Sequence, residues 1–206
     1  FNNENIEAKA RIVEITRKAV TVSIASFETV DVESPLQLIL GQAITKHSKI
    51  EFTLQKSVEL GISEIYPLIT ERSFIQSLQG DKKDKIMKRW EKIIISACAQ
   101  CGRNKLPILH APILLSEWVE HLQTKANTFI ATPKDSSSQY IVDHTKPIYL
   151  LIGSEGGFSD EEVELAKDHH FNGLSLGPRI LRAETAAVAA ITAFQLKYGD
   201  LRTFPT

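Results

Sequence analysis

The sequence predicts an α/β fold built on a parallel sheet, with a smaller β domain in front of it. From Leu36 onward, short apolar segments typical of strands alternate with longer segments whose apolar residues recur at helical spacing. This alternation is typical of a parallel sheet that is covered by helices on both faces. The segment Ile148–Ile152 is apolar throughout, as expected for a strand buried on both sides.

The first part of the chain has a different pattern, in which apolar and polar residues nearly alternate. Two strands are predicted there, Ala8–Ile15 and Ala19–Ala25. Two short strands cannot bury a core alone, and the sequence does not begin with Met, so we expect the first strands of this domain to be missing. Val32–Pro35 is predicted to be a linker, because Pro favours an extended residue before it. The predicted domains are therefore 1–34 and 35–206.

The remaining elements follow from periodicity and from residues that begin or end helices. Strands are predicted at Leu36–Leu40, Ile62–Ile69, Leu106–Leu109, Thr128–Ala131, Ile148–Ile152 and Leu174–Leu176. Helices are predicted from Ser48 or Lys49 to Leu60, at Lys82–Gln100 and Leu115–Leu122, from Ser159 to about His169, and from Glu184 onward. Gly61 is expected to end the first helix, Ser116 to open the third, and Ser159 with Glu162 to form a capping box. Lys134–Thr145 is predicted to be a loop.

The composition is that of an ordinary globular protein. Apolar residues make up 43% and charged residues 24% of the chain, and the formal net charge is −1. This balance argues against binding nucleic acid through bulk charge, although it allows a local basic face. No apolar segment approaches the roughly 20 residues that a membrane span needs. No signal peptide is visible either, so we expect a cytosolic protein.

A glycine-bearing loop, Gly153–Phe158, follows the apolar strand Ile148–Ile152 and precedes a helix. Its glycines let the backbone approach a ligand closely and expose N–H groups. The loop lacks both the glycine spacing of a dinucleotide site and the Lys-Ser/Thr pair of a P-loop. A tight strand-to-helix turn would need the same small residues, so the glycines alone leave both interpretations open.

A second loop, Gly177–Arg182, favours the ligand interpretation. Ile180 and Leu181 could cover a flat ring, and Arg179 and Arg182 could hold a carboxylate, a phosphate or an acidic partner. A surface loop with solvated arginines is the alternative, which the two apolar residues make less attractive. In an open α/β sheet such loops meet at the carboxyl ends of the strands, where ligands bind.

Other charged and reactive residues carry weaker signals. The lysine-rich segment Lys82–Lys92 is typical of a solvated helix face. Arg72 and Arg103 differ from it, because each lies in a loop after a predicted element. Cys98 and Cys101 lie three residues apart on one predicted helix, which favours packed thiols over a redox or zinc site.

Together these stretches resemble the RsmE family of the SPOUT superfamily, the ribosomal RNA small subunit methyltransferase E proteins. The resemblance covers nearly the whole chain and is most specific in Leu151–Phe158 and Leu176–Thr185. Gln55–Gly61, Glu71–Ser73, and Gln100 with Arg103 also carry it. One departure is Ser154, where the family commonly has Pro, and no physical reason for it is visible in the sequence.

The resemblance implies a PUA-like β-barrel that helps to bind RNA, followed by a methyltransferase domain with a C-terminal trefoil knot. It implies a homodimer with the active site near its interface, and no metal. The activity it implies is transfer of a methyl group from S-adenosylmethionine to N3 of a uridine in 16S ribosomal RNA of the small subunit, free or assembled. A SPOUT enzyme acting on another RNA or base atom, and a non-catalytic RNA-binding scaffold, remain open alternatives.

The resemblance also assigns roles to individual residues. Cofactor contacts fall on two loops and on the end of a neighbouring strand: Thr132, Pro133, Leu151, Ile152, Gly153, Glu155, Gly156, Leu176, Gly177, Pro178, Ile180, Leu181 and Thr185. Arg103 and Arg182 are expected to stabilise negative charge on the uracil oxygens, and Glu184, or alternatively Glu155, to accept the N3 proton. RNA contacts are expected from Lys56, Arg72 and Arg179.

Overall fold

The computed structural model of the protein describes residues 3, 5–75, 80–122, 127–132, 142–143 and 145–201. An antiparallel hairpin comes first, formed by β1, Ile6–Ile15, and β2, Val20–Thr29. Its two strands confirm the predicted β structure, and apolar residues on it, such as Ile12 and Phe27, are more than half exposed, at 58% and 68%. The hairpin therefore contributes little to the apolar core.

The rest of the described chain is organised around a parallel sheet. Its strands are β3 Leu38–Ala43, β4 Glu64–Ile69, β5 Ile108–Leu109, β6 Ile113–Leu114, β7 Asn127–Ala131, β8 Ile148–Ile152 and β9 Asn172–Leu174. The order across the sheet is β5-β4-β3-β8-β7-β9, with β6 also pairing with β4, and each of these pairings is parallel. The predicted α/β class with a parallel sheet is confirmed, whereas the trefoil knot and the domain boundary stay predictions.

Helices cover the sheet on both faces. They are α1 His47–Glu59, α2 Gly80–Cys101, α3 Leu115–Glu120, α4 Asp160–Asp168 and α5 Ala183–Tyr198. Leu150 of β8 packs in the core with residues of α1, α2 and α5, whereas its neighbour Leu151 packs in the core with residues of α3 and α4. Because successive side chains of a strand point to opposite faces, this placement explains why β8 is apolar without alternation.

Two helix ends follow from local sequence as predicted. After α1, Gly61 has a φ of +79°, and the N–H groups of Gly61 and Ile62 donate to the carbonyl oxygens of Val58 and Ser57, both at 3.0 Å. This is a Schellman ending, which needs a left-handed residue that glycine supplies without steric cost. At α4, Ser159 and Glu162 form both hydrogen bonds of the predicted capping box.

Other predicted boundaries were wrong. Ser116 does not open α3, because the N-cap is Leu114 and no side-chain capping bond forms. The strand expected at Leu174–Leu176 is β9 and ends at Leu174, which pairs with Ala131 in the last register position against β7. Beyond that pair the chain leaves the sheet to form the loop that follows. The predicted loop Lys134–Thr145 lies largely outside the described residues.

No described helix is long and apolar enough to cross a membrane.

The cysteines pack as predicted. Cys98 of α2 is fully buried in a small core with Val58 and Ile94, and both Cys98 and Cys101 are free thiols. Burial raises the pKa of the Cys98 thiol to about 11. A thiol with so high a pKa is almost entirely protonated at neutral pH and is a poor nucleophile.

Candidate active site

A cleft opens at the carboxyl ends of β7 and β9, where the predicted second loop turns into α5. It encloses about 400 Å³ of empty space, counted to its open mouth. Its lining residues are Ala131, Thr132, Leu174, Leu176, Gly177, Arg179, Ile180, Leu181 and Ala186. Five residues with predicted cofactor contacts therefore lie together, and Arg179, predicted to contact RNA, joins them.

The cleft combines apolar walls with exposed backbone. Ile180 is 87% exposed, so a ligand bound in the cleft could bury its aliphatic surface. Gly177 has a φ of +104°, so the loop turns through a conformation that other residues rarely adopt. Mostly apolar walls and a few polar backbone groups suit a flat organic ligand such as S-adenosylmethionine.

Three residues of this cleft were not predicted: Ala131, Leu174 and Ala186. Ala131 and Leu174 are the last residues of β7 and β9, and Ala186 lies in the first turn of α5. The predicted strand ends carried a usable signal, because ligands bind beyond the carboxyl ends of parallel strands. The sequence did not show that β7 and β9 are neighbouring strands in the sheet.

The glycine loop after β8 is a tight turn. The N–H of Gly157 donates to the carbonyl oxygen of Ser154 at 3.0 Å, and the two residues also form an isolated antiparallel bridge. Leu151 and Ile152, which precede the loop, bury their side chains in opposite cores. Any contact of these two residues with a cofactor would therefore have to come from their backbone.

Arg72 is tied to this loop. Its Nη1 donates to the carbonyl oxygens of Gly156 and Phe158, at 3.1 Å each. A side chain on Gly156 would meet Arg72 Cβ at 3.1 Å, so the close approach favours glycine. The guanidinium predicted to contact RNA thus makes hydrogen bonds that hold the loop in place.

The structure also explains Ser154, which forms a hydrogen bond with the backbone of Arg72. Its hydroxyl donates to the carbonyl oxygen of Arg72 at 2.6 Å, and the residue is only 6% exposed. Proline at this position could not make that bond. Glu162 adds a further link, because its Oε1 accepts from the N–H of Glu71 at 2.8 Å while its Oε2 closes the capping box.

Glu155, the alternative proton acceptor, is held in an ion pair. Its Oε1 lies 3.2 Å from Nζ of Lys49 in the first turn of α1. Burial alone would raise the pKa of Glu155, but hydrogen bonds from its own backbone and from Lys49 outweigh that effect and lower it. A carboxylate with a lowered pKa is a weak proton acceptor, so the position of Glu155 fits a structural task better.

Arg182 and Glu184 lie at the start of α5. Arg182 is the exposed N-cap residue, and its carbonyl oxygen accepts from the N–H of Ala186 at 2.8 Å. Glu184 is in the first turn, and its Oε2 is buried without a hydrogen-bond partner among the described residues. Thr185 and Pro178 are exposed next to the cleft but do not line it, and Pro133 lies outside the described residues.

Arg103, expected to be catalytic, occupies a different place. Its Nε donates to Oε1 of Glu33 at 3.0 Å, its Nη2 donates to Oε2, and its Nη1 donates to the carbonyl oxygens of Val58 and Ile62 at 2.9 and 3.1 Å. Ile62 precedes β4, so this network lies at the amino edge of the sheet, opposite the cleft. The structure does not bring Arg103 to the cleft of the same chain; within one chain its contacts anchor neighbouring segments, and its catalytic role stays a prediction.

Residues next to Arg103 bind the hairpin as well. Nδ2 of Asn104 donates to Oε1 of Glu7 and to the carbonyl oxygen of Val30, both at 3.2 Å. The N–H of Leu106 donates to Oδ1 of Asn3 at 2.6 Å. The loop after α2 therefore fixes the hairpin against the parallel-sheet unit.

Lys56, expected to contact RNA, is paired on α1. Its Nζ lies 2.7 Å from Oε1 of Glu59 and 5.9 Å from the ring centroid of Phe52.

Across the described ranges, no group of three or more His, Cys, Asp or Glu side chains is placed to hold a metal ion.

Comparison with known proteins agrees with this architecture. The RNA methyltransferase domain family matches residues 32–195. The ribosomal RNA small subunit methyltransferase E of Buchnera aphidicola (subspecies Acyrthosiphon pisum, strain APS) is 40% identical over 203 residues, which are 98% of this chain and 80% of that protein.

Two solved structures are also similar. A Legionella pneumophila methyltransferase, solved with its bound cofactor S-adenosylmethionine, superposes with a TM-score of 0.92 at 45% identity, over 98% of this chain and 83% of that one. The ribosomal RNA small subunit methyltransferase E of Neisseria gonorrhoeae, bound to S-adenosylmethionine, gives 0.88 at 34% identity, over 97% and 82%. With both loops in place at the sheet edge and near full-length similarity, this chain belongs to the ribosomal RNA small subunit methyltransferase E family.

Proposed function

We propose that this protein transfers a methyl group from S-adenosylmethionine to N3 of a uridine in small-subunit ribosomal RNA. The observation that carries the proposal is the cleft at the ends of β7 and β9, formed by Thr132, Leu176, Ile180 and Leu181. Family membership and the S-adenosylmethionine bound to two similar structures support it. The choice of uridine N3 comes from the family resemblance.

Different residues of the cleft are suited to hold different parts of the cofactor. Leu176, Ile180 and Leu181 offer apolar surface for the adenine, and the backbone around Thr132 and Gly177 offers polar groups that can fix its orientation. When bound, S-adenosylmethionine supplies an activated methyl group on a sulfonium. Binding would cover Ile180 and so remove the most exposed large aliphatic side chain at the cleft from water.

The remaining chemistry concerns the uracil. N3 carries a proton and must lose it before it can act as a nucleophile, and the resulting negative charge spreads onto the two carbonyl oxygens. Arg182 projects from the exposed start of α5 and can place a guanidinium at those oxygens, which stabilises charge as it develops. Glu184, with a buried and unpartnered carboxylate oxygen, is our candidate acceptor of the proton.

Positioning supplies most of the rate enhancement in this scheme, because the methyl group needs no further activation. Arg179 lines the mouth of the cleft and is suited to a phosphate or base next to the target uridine.

We also propose that the protein forms a homodimer and is located in the cytoplasm. The exposed apolar side chain of Ile180 at the cleft, at 87%, supports a covering surface there.

The test is mass-spectrometric mapping of modified nucleosides in ribosomal RNA from a strain that lacks the gene. Small-subunit RNA should lose one N3-methyluridine, which the wild-type gene restores and an Arg182→Ala variant does not. A Lys167→Ala variant, changed on the outer surface of α4, should restore it fully. Unchanged N3-methyluridine in the deletion strain would refute the proposal.

A further inference from the structure

A second concave surface lies between α1 and α2, on the side of these helices that faces away from the sheet. We call it the α1–α2 groove. It is lined mainly by Glu51, Gln55, Lys85, Lys88, Arg89 and Lys92, and it encloses about 1030 Å³ of empty space, counted to its open mouth. The groove carries more charged side chains than the cleft at β7 and β9 and lies apart from the residues assigned to the cofactor.

The cations of this groove converge rather than spread around the helix. Residues 85, 88, 89 and 92 are spaced three, four and seven apart, which places them on one face of α2. Ser96 continues the same face one turn later and adds a hydroxyl. The sequence predicted a solvated helix face for this lysine-rich segment, whereas the structure makes part of that segment one wall of a groove.

Positive charge exceeds negative charge in the lining. Among the described lining residues Glu51 is the one acidic side chain, and it binds Arg89, with 2.6 Å between Oε1 and Nε. Lys85, Lys88 and Lys92 have no ion pair or hydrogen bond within the described parts of the chain, although Asp81 and Asp84 lie one helical turn before Lys85 and Lys88. Like charges at i,i+4, such as Lys88 and Lys92, destabilise a helix, and a bound polyanion would relieve that repulsion.

The shape favours a nucleic acid strand over a small anion or a protein. The positions of Lys85 and Lys92 are separated by roughly 10 Å along the helix axis, a length over which one strand presents about three phosphates. Gln55 and Ser96 add neutral hydrogen-bonding groups. Ile93 is the only large apolar residue among the described lining residues, and this part of the groove lacks the aromatic and aliphatic centre typical of a protein interface.

The groove also leads to the edge where the cleft lies. Its α1 wall begins at Glu51, two residues after Lys49, and Lys49 is paired with Glu155 of the glycine loop. A strand bound in the groove can therefore continue toward the carboxyl ends of the sheet. From these contacts we propose that the α1–α2 groove binds the phosphate backbone of the substrate RNA, an inference that rests on the proposed function and assigns a substrate-binding surface to it.

The experiment measures binding of the full protein to a transcript of small-subunit ribosomal RNA at several salt concentrations. The groove variant is Lys85→Gln/Lys88→Gln/Lys92→Gln, and the matched control is Lys83→Gln/Lys146→Gln/Lys167→Gln, which removes the same charge elsewhere. Loss of three phosphate contacts should make the slope of log K against log salt shallower by about 2 to 3. At low salt the groove variant should bind at least about tenfold more weakly, while the control stays near wild type.

Three outcomes would overturn the inference: no change in the groove variant, an equal change in both variants, or weaker binding to assembled small subunits without weaker binding to the transcript. The last would indicate an acidic protein partner. Affinity for S-adenosylmethionine, which should stay unchanged, reports whether the variants fold. If the triple variant misfolds, Lys88→Gln alone should still reduce the slope by about 0.7 to 0.9.

The two proposals fail in different ways. Methylation by the wild-type protein tests the proposed function, whereas the salt slope tests the groove whether or not methylation occurs. A wild-type protein that binds the transcript through these lysines but does not methylate uridine N3 would refute the reaction and leave the groove in place.

Discussion

Arg103 forms two hydrogen bonds with the carboxylate of Glu33, which lies in the segment between the hairpin and the first strand of the parallel sheet. The Arg103 side chain is 6% exposed and that of Glu33 is 20% exposed, so water screens this pair only weakly. The same guanidinium also donates to the carbonyl oxygens of Val58 and Ile62. One side chain thus ties the end of α1, the loop after α2 and the hairpin segment together.

Replacing Arg103 with Met should therefore lower stability strongly. A carboxylate that is only 20% exposed and loses its partner, together with two carbonyl oxygens that lose a donor, is expected to cost about 3–5 kcal/mol of unfolding free energy. Affinity for S-adenosylmethionine should not change in the folded fraction, because the cleft lies at the other edge of the sheet. Urea denaturation and equilibrium dialysis measure the two quantities.

The matched control is Arg89→Met, since Arg89 pairs with Glu51 while its own side chain is 63% exposed. An exposed pair contributes roughly 0–1 kcal/mol, so this variant should unfold near the wild-type midpoint. Equal losses of unfolding free energy in the two variants would contradict the prediction that the Arg103–Glu33 pair stabilises the protein more than the exposed Arg89–Glu51 pair. Loss of cofactor affinity in folded Arg103→Met would support a role of Arg103 in the active site.

Ser154→Ala should loosen the glycine loop. The substitution removes the hydroxyl that donates to the carbonyl oxygen of Arg72, and a hydrogen bond of this kind is worth about 1 kcal/mol. Thermal denaturation should show a loss of that size, and amide hydrogen exchange in 153–158 should become faster. Ser116→Ala, at an exposed serine of α3, should change stability by less than about 0.5 kcal/mol; equal effects of the two substitutions would contradict the assigned role of Ser154.

Lys49→Met should raise the pKa of Glu155 toward the ordinary glutamate value. Lys49 stabilises the charged carboxylate, and the pKa of Glu155 is lowered in the folded protein. The ion pair therefore stabilises the protein above the ordinary glutamate pKa, and this contribution is lost as the pH falls through the lowered value. Carbon-13 NMR of the side-chain carboxyl measures the pKa directly, and an unchanged value would show that Lys49 does not hold Glu155.

The two cysteines should react at different rates. Cys98 is fully buried, and its thiol pKa is raised to about 11, so little thiolate is present at pH 8. Cys101 is partly exposed and should be alkylated by iodoacetamide in the native protein, with Cys98 modified only after unfolding. Peptide mass spectrometry distinguishes the sites, and rapid native labelling of Cys98 would contradict its buried position.

Local patterns predicted much of the fold. The apolar segment Ile148–Ile152 is β8 at its predicted bounds, and the capping box at Ser159 and the glycine ending at Gly61 are present. Each of these features depends on residues close together in sequence. The two-residue strand β6 was not predicted, whereas the equally short β5 lies within the predicted strand Leu106–Leu109.

Features that depend on distant residues could not be read from the sequence. Glu33 and Arg103 are 70 positions apart, and Arg72 and Ser154 are 82 apart. An arginine in a loop suggests a ligand contact equally well whether its partner is RNA or a distant carboxylate. The cleft was better predicted, because its loop Gly177–Arg182 is contiguous and adjoins two strand ends.

The most direct test of the cleft is equilibrium dialysis of the folded protein against radiolabelled S-adenosylmethionine. We expect saturable binding, and at least about tenfold weaker binding by Ile180→Glu, since one lost interaction of about 1.4 kcal/mol corresponds to that factor. Ile12→Glu, at a side chain of the hairpin that is 58% exposed, should bind as the wild type does. Absence of binding by the folded wild-type protein, or equal binding by Ile180→Glu, would contradict the assignment of this cleft to the cofactor.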